Sequence, residues 1–330
     1  MSDHDLPPGW NYNPSSWPQR LPVVGLALVG FGIATYLALY QYGVFATVWE
    51  PFFGEGSRVV LHSRVSNVIE QHLGLPITDA ALGAFGYLLD ALTGLIGGKR
   101  RWRTMPWMVI LFGLAVGPLG AVSIVLVILQ PVLFESWCTL CLASAVISIG
   151  MIGPAMDEVL ASLQYIRREQ LHGRSAWRAF WGLGNHRDHD SADDTDRLTQ
   201  RGKVQPVWTQ FVSAALGVCL IAVPAVLGDA GSARINDSII GPLVASIAVI
   251  AIWEATRPFG RVNGVLGLWL LIAPWILGTT WTEVLTSSMF GGLLLALALV
   301  PGKVRNQFGG GWSSLWRRTA EPGVTSPTRN

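Results

Sequence analysis

The feature that most constrains this chain is a series of apolar runs of about twenty residues, the length a helix needs to cross a hydrocarbon core of roughly 30 Å. Eight segments qualify: 23–43, 80–97, 105–133, 139–163, 208–228, 238–256, 263–281 and 284–301. Inside lipid every backbone N–H and C=O must be satisfied within its own segment, so each run is read as a helix rather than a strand. The expected fold class is all-α integral membrane, with eight transmembrane helices. Composition agrees: 13% of the residues are charged, about half the proportion in a soluble domain. A net charge of +2 excludes a nucleic-acid binder. The first twenty residues are polar and Pro-rich with no basic run. They do not read as a cleavable signal peptide, so 23–43 is expected to be a retained first span.

Lys and Arg in the connections orient the spans. Twenty fall on one side, among them Arg20, the Lys99-Arg100-Arg101-Arg103 cluster and eight between Arg167 and Lys203. Three, Arg58, Arg64 and Arg234, fall on the other. Both termini are therefore expected to be cytoplasmic and the 44–79 loop to face outward.

Five regions follow: an N-terminal tail (1–22), a first group of four spans (23–165), a charged cytoplasmic linker (166–206), a second group of four spans (207–302) and a C-terminal tail (303–330). The linker contains His186, Asp188, His189 and Asp190, read as a solvated charged stretch rather than a metal site, and an expected interfacial turn at Trp177–Trp181. The second group repeats itself at an offset of 50. Leu216, Gly217 and Pro224 match Leu266, Gly267 and Pro274, and Ser238, Gly241 and Leu243 match Ser288, Gly291 and Leu293. Each copy is a two-helix hairpin. The second, with Ala273-Pro274-Trp275, resembles the SPW repeat, a small bacterial membrane module, which implies architecture and an anchoring or assembly role.

The one chemically loaded motif is Trp137-Cys138-Thr139-Leu140-Cys141. It starts the fourth span on the outward side, where disulfides persist. A helix N-terminus stabilises a thiolate, above all at the first cysteine, so Cys138 is the expected exposed nucleophile. The same two residues could instead be small apolar groups packing a helix end. No second cysteine pair exists to complete a zinc site. Cys219, mid-span and opposite Trp269 in the repeat, is expected to be a buried packing residue. Asp90 is an intramembrane carboxylate, expected to serve a structural or electrostatic role, for instance by reaching the Arg100/Arg101/Arg103 cluster. Pro118 is expected to kink the third span.

Residues 23–165 resemble the vitamin K epoxide reductase family, whose four-helix bundle cradles a quinone beside a CxxC at the outward start of its last helix. Ser57-Arg58-Val59-Val60-Leu61-His62-Ser63 resembles the serine-containing outer loop, and Leu82-Gly83 through Gly86-Tyr87 the start of the second helix. The resemblance implies that Cys141 faces the quinone and Cys138 exchanges with thiols. It places Ser63 at the family's serine and Asp79 where an asparagine bonds the quinone. Ala145 stands where a tyrosine is common and Ser57 where the second loop cysteine is expected. No cysteine precedes Cys138, so the internal shuttle is absent and a separate thiol protein must reach Cys138.

The function expected is a bacterial inner-membrane thiol–quinone oxidoreductase. It passes electrons between a periplasmic thioredoxin-like thiol partner and ubiquinone or menaquinone through Cys138 and Cys141. The alternative is a non-catalytic membrane assembly or quinone-binding protein that keeps the fold. The charge asymmetry yields a test of orientation: single cysteines placed near residues 60 and 232 should react with a membrane-impermeant reagent from outside. One near residue 190 should react only after the membrane is opened, and labelling there in intact cells would reverse the topology.

Overall fold

A computed structural model describes residues 6–63, 66, 77–184, 205–227, 231–277, 280–301 and 308–316. The histidines and aspartates between 186 and 190 lie outside the described residues. The helices are α1 (Trp17–Gln41), α2 (Gly56–Leu61), α3 (Asp79–Leu95), α4 (Arg101–Thr104), α5 (Pro106–Leu133), α6 (Thr139–Leu171), α7 (Ala176–Phe180), α8 (Val207–Leu227), α9 (Gly231–Ile250), α10 (Val262–Leu277) and α11 (Trp281–Leu299). The all-helical membrane class is what the apolar runs require.

Among the described residues seven helices are long and apolar enough to cross a membrane. The expected second span, α3, has 17 residues. At 1.5 Å per residue it covers about 25 Å, short of the roughly 30 Å core. Its start is set by Thr78, whose hydroxyl accepts the N–H of Ala81 at 3.3 Å. The expected span at 139–163 is longer than read, because α6 runs on to Leu171.

In the N-terminal unit α1, α3, α5 and α6 pack in a ring, each against the next. Gly30 on α1 leaves room for the Tyr87 ring of α3, whose Cζ would lie 2.7 Å from an added Cβ. In the C-terminal unit α8, α9, α10 and α11 close a second ring. The duplication shows directly in its crossings. A Cβ on Gly217 would lie 2.8 Å from the Gly241 carbonyl oxygen, and one on Gly267 2.8 Å from that of Gly291. Small residues at equivalent places let both hairpins bring their backbones together, the usual basis of helix association in lipid. Thr280 and Glu283 form a reciprocal capping box at the start of α11.

The two units meet through α9, which packs on α5 and α6. Trp253 lies against Gly153 of α6, with its Cδ2 2.6 Å from where a Cβ would stand. The two segments read as tails are part of this joint. Trp10 Nε1 donates to Gln164 Oε1 at 2.8 Å, and Gln164 Nε2 donates to the carbonyls of Phe308, Gly309 and Gly311. Trp312 Nε1 donates to the carbonyl of Ala255 at 2.9 Å. The expected interfacial turn is helix α7, with Trp177 largely exposed and Trp181 against Trp107.

Two readings are corrected. Cys219 is exposed rather than buried, because Gly217 and Leu220 face the neighbouring helices and Cys219 lies off that stripe. Asp90 does not reach the arginine cluster. Arg101 pairs with Glu158 in a buried bidentate contact, and its Nη1 donates to the Thr93 carbonyl at 2.7 Å. Asp90 is fully buried, and neither carboxylate oxygen has a hydrogen-bond partner among the described residues.

Gly217→Val and Gly267→Val should each cost about 1–3 kcal/mol by forcing a hairpin apart. Thermal unfolding of the purified protein checks this, with Gly292→Val, whose Cβ would meet nothing within 4 Å, as the neutral control.

Candidate active site

The start of α6 is built from its unpaired backbone donors, since the first N–H groups of a helix have no partner within it. Cys138 is the N-cap, and its Sγ accepts the N–H of Cys141 at 3.1 Å. The Cys138 N–H itself donates to Gln130 Oε1 at 2.8 Å. The Thr139 N–H donates to Glu50 Oε2 at 2.9 Å, and the Thr139 hydroxyl to Glu50 Oε1. Cys138 and Cys141 form a disulfide with their Cα atoms 5.2 Å apart, within the usual span of such a bond.

Glu50 is the clasp of the outer loop. Besides Thr139 it accepts from the buried Ser57 hydroxyl and from the N–H groups of Phe52 and Phe53. Partial burial pushes its carboxyl up, but the hydrogen bonds from Ser57, Thr139 and Phe52 outweigh this and hold it at about 2, below its ordinary 4.5. Gly56 lies directly against the carbonyl of Trp137, an approach a Cβ would block. Ser57 therefore stands beside the cysteine motif, with a hydroxyl that cannot exchange with a disulfide.

Burial divides the cysteines contrary to expectation. Cys138, the expected exposed thiol, is 0% exposed, whereas Cys141 is partly exposed. The cause is the cap: Cys138 turns inward to meet Gln130 and the Cys141 N–H, under a loop clasped to Thr139.

Cys141 lies on the wall of a cavity of about 420 Å³ lined by the N-terminal helix ring, within the 300–1,000 Å³ usual for small-molecule sites. Most of the wall is apolar, with Leu37, Leu119 and Leu126 among its residues and Pro118 at the middle of α5. The polar members include Gln130, Ser144, Ser148, Tyr87, Asp79 and Gln41. Asp79 thus lines the cavity, but Ser63 does not. Its place on the wall is taken by Ser66, whose amide N–H donates to Ser63 Oγ at 3.3 Å and whose own hydroxyl donates to the Val60 carbonyl at 2.7 Å. Ala145 is at the wall, and the aromatic hydroxyl comes from α3 instead: Tyr87 donates to the Ser144 carbonyl at 2.6 Å. Gln130, Glu50 and Ser66 were missed in the sequence. Gln130 carried a signal, as a lone amide in an apolar run.

Residues 21–155 match the Vitamin K epoxide reductase family and residues 207–301 the SPW repeat domain. The two matches follow one another, the first in the N-terminal and the second in the C-terminal part of the chain. No curated protein and no solved structure matches it. The first match is to a family of thiol-dependent membrane oxidoreductases that act on quinones. The cavity lies within the residues of that first match, and its wall combines leucines with a few polar side chains.

The Glu50 clasp should depend on pH with a definite sign. A carboxyl held below its ordinary value contributes stability fully above about 4.5, and that contribution is lost as pH falls from there toward 2. Reduction of Cys138–Cys141 by a water-soluble phosphine should therefore quicken over that range. Glu50→Gln should show the fast rate already at pH 6, and a rate independent of both pH and Glu50 would remove the clasp.

Proposed function

We infer that this protein is a membrane thiol–quinone oxidoreductase that passes electrons between a thiol partner outside the membrane and a membrane quinone through Cys138 and Cys141. The observation that carries the reading is a CxxC disulfide whose second cysteine lines a largely apolar cavity, in a segment that matches a quinone-reducing family. In this reading a partner thiolate attacks Cys138, forms a mixed disulfide there and releases Cys141 as a thiolate. The helix N-terminus stabilises that charge. A second partner thiol displaces Cys138, which leaves the partner oxidised and both cysteines reduced. As the disulfide closes again, two electrons and two protons pass from Cys138 and Cys141 to quinone, which supplies the two-electron acceptor and leaves as quinol. Asp79 faces the cavity as a polar contact, and Ser63 acts through Ser66. Because Cys138 is buried under the clasped loop, the partner must displace that loop. The site then belongs on the periplasmic side of a bacterial inner membrane, with both termini cytoplasmic. The SPW repeat domain braces α5 and α6.

The test is quinol formation by the full-length protein in lipid discs, with reduced thioredoxin-like proteins of the periplasm as donors. Cys138→Ser and Cys141→Ser should each lower the rate about 100-fold or more, and Cys141→Ser mixed with the oxidised disulfide form of the partner should accumulate a mixed disulfide at Cys138. Cys219→Ala should leave the rate unchanged. Absence of Cys138-dependent quinol formation with every donor would favour the non-catalytic alternative.

A further inference from the structure

Gln130 is a lone amide in the apolar run Val127-Ile128-Leu129-Gln130-Pro131-Val132-Leu133. It is 2% exposed, and one end of it is committed: Oε1 accepts the Cys138 N–H. An N–H can be met only by the oxygen, so the polarity of the amide is settled and Nε2 is the opposite end, with two hydrogens to give. Gln130 lines the same cavity as Cys141, and its Nε2 has no acceptor among the described residues.

The hydroxyls and the other amide on the wall are already engaged, and the Asp79 carboxylate, when ionised, can only accept. Ser66 donates to the Val60 carbonyl at 2.7 Å, Ser123 to that of Leu119 at 2.8 Å, and Ser148 to that of Ser144 at 3.1 Å. The Tyr87 hydroxyl is held by Ser144, and Gln41 Nε2 donates to the Leu61 carbonyl at 2.9 Å. A quinone carbonyl is an acceptor only, so it needs a donor, and Gln130 Nε2 is the one that keeps both hydrogens.

We propose that Gln130 couples the disulfide to the quinone, its Oε1 holding Cys138 while its Nε2 donates a hydrogen bond to the quinone carbonyl nearest Cys141. The proposal rests on the quinone reading above and adds the residue that recognises the head group. Reduction gathers negative charge on that carbonyl oxygen, and a donor already oriented in a dry cavity stabilises it without reorganising. Gln130 thus serves as a specificity-determining contact and as a brace for the cysteine motif, two roles that one substitution can separate.

Gln130→Glu keeps an oxygen for the Cys138 N–H and replaces the donor with a carboxylate oxygen. Gln130→Met removes both polar atoms without adding a charge and serves if the first variant does not fold. The full chain in lipid discs is equilibrated with short-chain ubiquinone, with short-chain menaquinone and with an alkylnaphthalene that has no carbonyls, and retention is measured directly. Gln130→Glu should hold both quinones about tenfold or more weakly, the value of one such hydrogen bond, and the alkylnaphthalene as tightly as the wild type. Its KM for quinone should rise more than its kcat falls, and the thiol–disulfide midpoint should stay within about twofold in equilibrium constant. Unchanged quinone retention in both variants, or equal loss of quinone and alkylnaphthalene, overturns the role of Gln130 and leaves the functional reading standing. A wild-type protein that retains the alkylnaphthalene and neither quinone overturns the functional reading itself, and this proposal with it.

Discussion

The start of α6 must place several backbone N–H groups that no helix turn can satisfy, in a largely buried setting. Each solution recruits a different part of the molecule. The Cys141 N–H is met by Cys138 Sγ, which brings the two sulfurs together. The Thr139 N–H is met by Glu50, which ties the outer loop and Ser57 to the motif. The Cys138 N–H is met by Gln130 of α5, which joins the motif to the cavity wall. Disulfide, loop and cavity share one site because the same helix start demands all three partners.

The other end of α6 is secured as firmly. Glu158 is buried with Arg101 and accepts from Ser15, while Arg20 donates to the carbonyls of Gly94, Ile96 and Gly97. A buried pair of this kind is neutral when complete and costs several kcal/mol when one partner is lost. It locks the ends of α1, α3 and α6 together. One turn or two further on, Gln164 gathers segments from both termini, and Gly153 takes the ring of Trp253. A rigid α6 keeps Cys141 against the cavity, and the SPW repeat domain contributes to that rigidity through α9.

How much of this was legible differs residue by residue. The apolar runs, the charge asymmetry, the repeat at offset 50 and the CxxC are local patterns, and each was readable. Gly217 and Gly267 were visible as matched positions, but their close crossings were not. Ser63 was chosen by its place in the loop, whereas the chain turns Ser66 to the wall. The missing tyrosine at Ala145 is answered by Tyr87, 58 residues earlier in the chain. The exposure of Cys138 and the burial of Cys219 were both reversed, since each depends on which side of a helix meets protein.

The sequence by itself determined the all-helical membrane class, the division into two units and the presence of a closely spaced cysteine pair at a helix start. These follow from the length of apolar runs and from spacings of a few residues. Tertiary structure alone decided which cysteine is buried, which carboxylate clasps the loop, which amide spans disulfide and cavity, and that Asp90 is left without a hydrogen-bond partner among the described residues. The physical reason is the solvent. In water a helix shows its buried face by contrast with its polar one. In lipid the outward face is as apolar as the core, so the pattern along a span records that it crosses the membrane and says little about what it touches.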